Sequence, residues 1–286
     1  RRVGRYTSTS STPRVPGIEM DWEQYQSLGL AIDWDAKAGG NLPNPNGPSW
    51  VNDASADEPY ALPPESLARQ PGVHEGRTVA HIDFKSSTYP GTTRDWWVHI
   101  PAECYLTGEP CSLIVFQDGG SYKDEAGTVR AAVLLDNLVH AGALPPTVAV
   151  FINPGAHTDV PGQRSVEYDV ISDRYATFLS DEILPLVKLD FENISADPDR
   201  RIVCGASSGG ICAFSVAWHR PDLFANVISH VGSFANIRGG HHYPWLIRNT
   251  KRKPIRRVYL QDGTADGARI TYWRLSNSSL RLAAPT

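Results

Sequence analysis

The feature that most constrains this chain is a Gly-x-Ser-x-Gly turn between a short apolar run and an apolar helical pattern. The turn spans Gly205–Gly209, the apolar run Arg201–Cys204 precedes it, and the helical pattern Gly209–His219 follows it. A strand, a sharp turn with a central serine and a helix form a nucleophile elbow, which raises the serine hydroxyl above the sheet. The sequence therefore predicts that Ser207 is a nucleophile at the end of a covered strand.

Apolar runs alternate with helical patterns from about His74 onward. Strands that alternate with helices indicate a mostly parallel central sheet with helices on both faces. Combined with the elbow, this order predicts an α/β-hydrolase fold. The predicted strands are Thr78–Phe84, Trp96–Ile100, Ser112–Phe116, Thr147–Ile152, Arg201–Cys204, Asn226–His230 and Arg256–Leu260, and the predicted helices are Thr128–His140, Asp173–Val187 and Gly209–His219.

Residues 1–75 are poor in periodic apolar pattern. They include a Ser/Thr-rich tract at Thr7–Thr12 and a stretch crowded with Gly, Asn and Pro at Gly39–Pro48, both typical of loops. One short helix is predicted around Asp21–Leu30. We interpret residues 1–75 as a loop-rich N-terminal extension that partly wraps a catalytic domain formed by residues 76–286.

Composition excludes several classes of function. A net charge of −4 argues against a nucleic-acid partner, which usually requires a basic face. No apolar run reaches the roughly 18 residues of a membrane span. Metal-ligand spacing, a phosphate loop and a dinucleotide fingerprint are all missing, so we predict no metal and no cofactor. Four cysteines are too few for a disulfide framework, although Cys104 and Cys111 are candidates for one loop disulfide.

Five segments of the chain occur in an order that is found in a known family: Arg164–Asp169, Tyr175–Val187, Gly205–Gly210, Pro221–Phe224 and Ser229–Ser233. With them, the chain from about Thr78 to Leu280 resembles the family that includes the ferric enterobactin (enterochelin) esterases. The resemblance implies an α/β-hydrolase fold and serine-dependent hydrolysis of a small-molecule carboxylic ester, and it is stronger for the reaction than for the substrate.

The resemblance also supplies a catalytic acid and an oxyanion hole. Family members carry the acid three residues after a glycine that follows a late strand; Asp266 fits this position, and Asp262 is the second choice. An oxyanion hole needs two N–H donors aimed at the developing negative charge. The first is the N–H of Ser208, directly after the nucleophile. The second is expected from the loop after the third strand, at Gly119 or Gly120.

The catalytic histidine is the difficulty, because none of the nine histidines follows Asp266. The family has its base near the C-terminus, so one interpretation is a truncated chain without its final helix, final strand and base. The other is that a different histidine substitutes. His241 and His242 are expected in the loop layer over the site, where substrate contact is favoured over a role as base. His157 is a similar candidate at the rim.

Two further residues, Arg164 and Glu167, match family positions near the site, either as substrate-binding residues or as an ion pair that pins a loop.

Three functions stay open. The first is a serine esterase, inactive or weak and poorly soluble as given because its histidine is missing. The second is an acyltransferase of the mycolyltransferase type. The third is a non-catalytic binding protein on a hydrolase scaffold.

Overall fold

The computed structural model describes residues 62–159 and 161–261 of the chain. In these residues, eight strands form one mixed sheet, with helices packed on its two faces. The strands are β1 (Arg77–Lys85), β2 (Thr92–Ile100), β3 (Ser112–Gln117), β4 (Thr147–Ile152), β5 (Ala156–His157), β6 (Arg201–Ala206), β7 (Asn226–His230) and β8 (Arg257–Gln261). The helices are α1 (Pro64–Leu67), α2 (Gly119–Lys123), α3 (Ala131–His140), α4 (Gln163–Tyr168), α5 (Arg174–Phe178), α6 (Leu184–Asp190), α7 (Ser208–His219) and α8 (Tyr243–Asn249).

The order of the strands in the sheet is β1-β2-β4-β3-β6-β7-β8, and β5 pairs with β2. Strand β2 runs antiparallel to β1, β4 and β5, whereas β4, β3, β6, β7 and β8 run parallel to one another. Parallel strands end at the same edge of a sheet, and ligand sites of open α/β sheets lie at that edge. The loops that follow β3, β6 and β7 therefore meet on one side of the molecule.

Strand β3 shows how the apolar runs divide between the two faces. All of its residues are buried, as expected for a central parallel strand. Because successive side chains point to opposite faces, Leu113 and Val115 enter the larger core, whereas Ile114 and Phe116 enter the smaller one. The larger core holds α5 to α8, and the smaller one lies under α3. The two cores fix β3 and its following loop from both sides.

Each of the seven predicted strands forms, which confirms the predicted α/β fold. The predicted helix Asp173–Val187 is instead divided into α5, a π-helical turn at Leu179–Ile183, and α6. Pro185 explains this division, because its ring nitrogen cannot donate a hydrogen bond to the preceding turn. The short strand β5 and the short helices α4 and α8 were not predicted.

Residues 62–76 lie along α3. The Asn137 side chain donates to the carbonyl groups of Glu65 and Ala68 and accepts the N–H of Gln70. This arrangement suits the predicted wrapping extension, while the division near residue 75 stays a prediction. The predicted helix at Asp21–Leu30 lies outside the described residues.

The candidate disulfide between Cys104 and Cys111 is not formed in the structure. Both thiols are free and buried. The Cys111 sulfur lies 3.9 Å from the carbonyl oxygen of Cys104, so this thiol is directed at the main chain. Among the helices of residues 62–159 and 161–261, none is long and apolar enough to cross a membrane.

Candidate active site

Ser207 lies in a strained turn between β6 and α7. Its φ is 56° and its ψ is −122°, a conformation that residues with a side chain rarely adopt. Four main-chain hydrogen bonds hold it: its N–H donates to His230 (2.9 Å), and its carbonyl accepts from Gly210 (2.9 Å), Ile211 (3.2 Å) and Ser233 (3.0 Å). Ser207 is exposed while its flanking residues are wholly or partly buried. The turn therefore presents one serine side chain at the sheet edge.

Glycines make this turn possible. A Cβ atom at Gly205 would collide with the main chain of Gly209, because α7 folds back directly over the end of β6. A Cβ atom at Gly210 would lie 2.7 Å from Oγ of Ser229 on β7. Side chains at these positions would push α7 away from the sheet and open the elbow.

The Ser207 hydroxyl contacts a second serine. Its Oγ lies 3.1 Å from Oγ of Ser233, which follows β7. The turn between β7 and Ser233 contains Val231 at a φ of 43°, in the left-handed region. Sequence reasoning gave Ser233 no role, although it is the last residue of the family segment Ser229–Ser233. Its position in that segment was the available signal.

The loop after β3 lies beside the elbow. Asp118 has φ and ψ of 56° and 42°, and α2 begins at the next residue. A Cβ atom at Gly119 would collide with the main chain of β4, so this loop packs tightly over the sheet edge. A Cβ atom built at Gly209 would lie 3.1 Å from Oδ2 of Asp118, so the start of the elbow helix lies beside the loop after β3. The Gly120 N–H donates to Oδ1 of Asn153 at 2.8 Å.

Arg164 holds the Asp118 loop. Its Nε and Nη2 donate to Oδ1 and Oδ2 of Asp118 at 2.8 and 2.9 Å, and its guanidinium lies over the ring of Tyr168. The hydrogen bonds to Asp118 raise the pKa of Arg164 although burial opposes the shift. The expected ion pair between Arg164 and Glu167 is not formed; Arg164 instead pairs with Asp118 and pins that loop. Substrate contact stays a prediction.

Glu167 forms a separate, fully buried ion pair. Its carboxylate accepts two hydrogen bonds from Arg94 at 2.5 and 3.0 Å, one from Nε2 of Gln163 at 2.9 Å and one from the N–H of Gly155 at 3.2 Å. The Arg94 and Glu167 side chains have no solvent exposure. Glu167 therefore ties α4 to β2 and to the segment before β5, and its expected substrate contact stays a prediction.

The candidate histidines lie on two different loops. His241 and His242 have ring centres 4.0 Å apart and precede α8. A Cβ atom at Gly240, just before them, would collide with Ile211 of α7 and lie 2.9 Å from the carbonyl oxygen of Ser233, so this loop covers the start of the elbow helix. Burial lowers the pKa of His241 to about 4; burial and the neighbouring His241 do the same for His242. Both rings are neutral near pH 7.

His157 lies on β5, where its Nδ1 accepts the N–H of Asp159 at 3.0 Å. Strand β8 ends at Gln261, whose carbonyl accepts the N–H of Val231 at 2.7 Å and whose Oε1 lies 2.6 Å from Nδ1 of His230. The end of β8 is therefore beside the turn that carries Ser233. The two candidate acids, Asp262 and Asp266, lie outside the described residues.

A family model described as "Putative esterase" matches residues 87–268, which is more than half of the chain and includes the elbow. The chain belongs to this esterase family.

The chain is also similar to named esterases. It is 29% identical over 195 residues to the iron(III) enterobactin esterase of Dickeya dadantii (strain 3937), a match that covers 66% of this chain and 39% of that protein. It is 30% identical over 179 residues to the enzyme of the same name from Escherichia coli (strain K12), covering 62% and 40% of the two proteins. The chain thus spans about two fifths of the length of the curated relatives it matches.

Solved structures share the fold. The enterobactin esterase of Shigella flexneri crystallised with 2,3-dihydroxy-N-benzoyl-glycine has a TM-score of 0.59 and 23% identity, covering 77% of this chain and 54% of that chain. A ferulic acid esterase has a TM-score of 0.58 and 14% identity, covering 74% and 88%. At these identities the likeness concerns the fold, and the esterase family comes from the sequence match.

Proposed function

We propose that this protein hydrolyses carboxylic esters of small molecules with Ser207 as the nucleophile. The observation that supports the proposal most is the strained turn at Ser207, whose exposed hydroxyl stands between a buried strand and a buried helix. Backbone strain of about 1–3 kcal/mol persists where surrounding structure enforces it, and such residues cluster at active sites. The chain belongs to an esterase family, and in such an enzyme a strained turn would expose the nucleophilic serine.

The reaction follows from the groups around the hydroxyl. Oγ of Ser207 attacks the ester carbonyl carbon and gives its proton to a general base, the alcohol leaves, and water then hydrolyses the acyl-enzyme. The negative charge on the carbonyl oxygen is stabilised by the N–H of Ser208 and by that of Gly119. We favour Gly119 over Gly120 because the Gly120 N–H already donates to Asn153. One missing donor typically costs about 10²–10³ in kcat.

The general base and acid are tested by substitution. Asp266 is our proposed acid. His241 and His242 are the described histidines whose loop covers the elbow helix. Both are neutral near pH 7, but a pKa of about 4 makes each a weak base, so substrate contact is favoured over a role as base. Loss of activity in His241→Ala or His242→Ala alone assigns the base to that histidine, and unchanged activity in both places it elsewhere.

The relatives suggest the class of substrate. Their names describe esterases of iron(III) enterobactin and iron(III) salmochelin. We propose that the substrate of this protein is a small-molecule ester of the same class. Exposure of Ser207 to solvent favours water as the acyl acceptor over a second alcohol, and therefore hydrolysis over acyl transfer.

The test compares the chain with Ser207→Ala and with Ser180→Ala, which removes a partly buried hydroxyl in the π-helical turn that donates to Thr177 and Asp181 rather than to the elbow. Release of p-nitrophenol from a short p-nitrophenyl ester should exceed the buffer blank for the unmodified chain and for Ser180→Ala. Ser207→Ala should not exceed the blank. Equal rates for the unmodified chain and Ser207→Ala would refute Ser207 as the nucleophile and leave a binding protein on a hydrolase scaffold as the better interpretation.

A further inference from the structure

We propose that Ser233 is a positioning residue whose hydroxyl orients the hydroxyl of Ser207 for attack. This inference rests on the proposed function of Ser207. The two Oγ atoms lie 3.1 Å apart, and within the described part of the chain each is the hydrogen-bond partner that the structure gives the other. The two residues are 26 positions apart in the sequence, so the fold, rather than a local turn, brings them together.

The main chain fixes this distance. The N–H of Ser207 donates to the carbonyl of His230 at 2.9 Å, and the N–H of Ser233 donates to the carbonyl of Ser207 at 3.0 Å. The turn that contains Ser233 is therefore hydrogen-bonded to the elbow in both directions. The main chain of residue 233 is therefore fixed beside that of the nucleophile.

The turn itself is strained in a way that favours a function. Val231 has a φ of 43°, and a β-branched residue in the left-handed region is a true outlier. At Gly232, a Cβ atom would lie 2.5 Å from Oγ of Ser229 and 2.6 Å from the ring of Phe234, so only glycine fits. Strain that is kept by surrounding structure is a mark of functional sites.

The contact suits orientation rather than trapping of the nucleophile. Hydrogen bonds between hydroxyl groups are commonly 2.7–2.8 Å long, so 3.1 Å is a weak bond. A free serine side chain divides its time among three staggered rotamers. A weak bond to Ser233 selects one of them and still lets the Ser207 proton pass to a base. Nothing in this role requires Ser233 itself to gain or lose a proton.

The experiment measures how fast a fluorophosphonate probe labels Ser207. The key comparison is between Ser233→Thr and Ser233→Val, which have the same shape and differ by one hydroxyl. We expect Ser233→Thr to label at a rate within about twofold of the unmodified chain, and Ser233→Ala and Ser233→Val about 3- to 10-fold more slowly. With a p-nitrophenyl ester, kcat should fall by the same factor at unchanged KM, whereas a general loosening of the site would also raise KM.

A control in the same segment separates orientation from packing. Ser229→Ala removes a fully buried hydroxyl under Gly210 and Gly232, and it should not change the labelling rate. Circular dichroism and the thermal midpoint show whether each variant is folded. Equal labelling of folded Ser233→Val and Ser233→Thr would refute the role of Ser233 and leave Ser207 as the nucleophile. Absence of labelling at Ser207 in the unmodified chain would refute the proposed function and this inference with it.

Discussion

Two turns of this protein share a positive φ but differ in ψ, which is 42° at Asp118 and −122° at Ser207, and they have opposite side-chain environments. Asp118 after β3 and Ser207 after β6 both have a φ of 56°, both follow a buried parallel strand, and both precede a helix. The Asp118 carboxylate accepts two hydrogen bonds from Arg164. The Ser207 hydroxyl is exposed and has one long contact, to Ser233.

The difference indicates that one turn at this edge of the sheet stabilises a loop, whereas the other presents a reactive group. Strain at Asp118 places a carboxylate where Arg164 holds it, so the turn stabilises the loop that we propose carries part of an oxyanion hole. Strain at Ser207 places a hydroxyl where almost nothing holds it, so the group is available to a substrate. Strain alone therefore does not identify a nucleophile; strain together with an exposed, weakly bonded reactive group does.

The largest effect should come from removing the reactive group. Ser207→Ala should lower kcat for a p-nitrophenyl ester by about 10³-fold or more, because loss of a nucleophile costs several powers of ten. Its thermal midpoint should stay within a few degrees of that of the unmodified chain, since one weak hydrogen bond is lost. A large loss of stability with retained activity would mean that the turn at Ser207 supports the fold and does not carry the reactive group.

The next effect concerns the packing of the supporting turn. Gly119→Ala directs a methyl group into the main chain of β4 and should reduce the free energy of unfolding by about 3 kcal/mol. Gly108→Ala is the matched control, because nothing lies within 4 Å of a Cβ atom there. Urea denaturation of both variants measures the difference. Equal stability of the two variants would mean that the Asp118 loop is less tightly packed than we describe.

A smaller effect is expected from the ion pair itself. Asp118→Ala removes both acceptors of the half-exposed Arg164 and should reduce the free energy of unfolding by about 1 kcal/mol. It should also lower kcat, by a factor much smaller than Ser207→Ala does. Arg164→Lys should not substitute for arginine, because an ammonium group cannot bind both carboxylate oxygens in parallel. Full activity and stability of Asp118→Ala would contradict the supporting role.

The smallest effect is a pH dependence of stability that we expect from the helix after Ser207 and not from the helix after Asp118. The helix after Asp118 ends in Lys123, whereas the helix after Ser207 ends in His219, whose pKa burial lowers to about 4. A histidine with a depressed pKa binds fewer protons in the folded than in the unfolded chain between about pH 4 and 6.5, so stability falls as the pH falls through this range. His219→Gln should reduce the difference in thermal midpoint between pH 7 and pH 4.5. An unchanged difference would show that His219 does not contribute to it.

Much of the fold followed from the sequence because central strands are continuous apolar runs. β4 and β7 formed at their predicted bounds, and the Gly-x-Ser-x-Gly pattern located the turn at Ser207. The ion-pair partners of the site residues could not be predicted from the sequence. Arg164 and Glu167 lie three positions apart, yet their partners, Asp118 and Arg94, are 46 and 73 positions away.

The sequence also did not predict which residues other than glycine have a positive φ. Asp118 and Val231 have positive φ values that no residue-type preference predicts for a valine and only weakly indicates for an aspartate. Tertiary hydrogen bonds impose these conformations, and the position of Ser233 depends on one of them. Local sequence could not predict Ser233 for this reason.

The central claim is that the strained turn after β6, and not another part of the chain, carries the reactive hydroxyl. The most direct measurement is peptide mapping of the protein after long incubation with a fluorophosphonate, because a single covalent turnover reports even a slow site. We predict one adduct, on the peptide that contains Ser207, and none in Ser207→Ala. An adduct on another residue, or none in the unmodified chain, would contradict the claim.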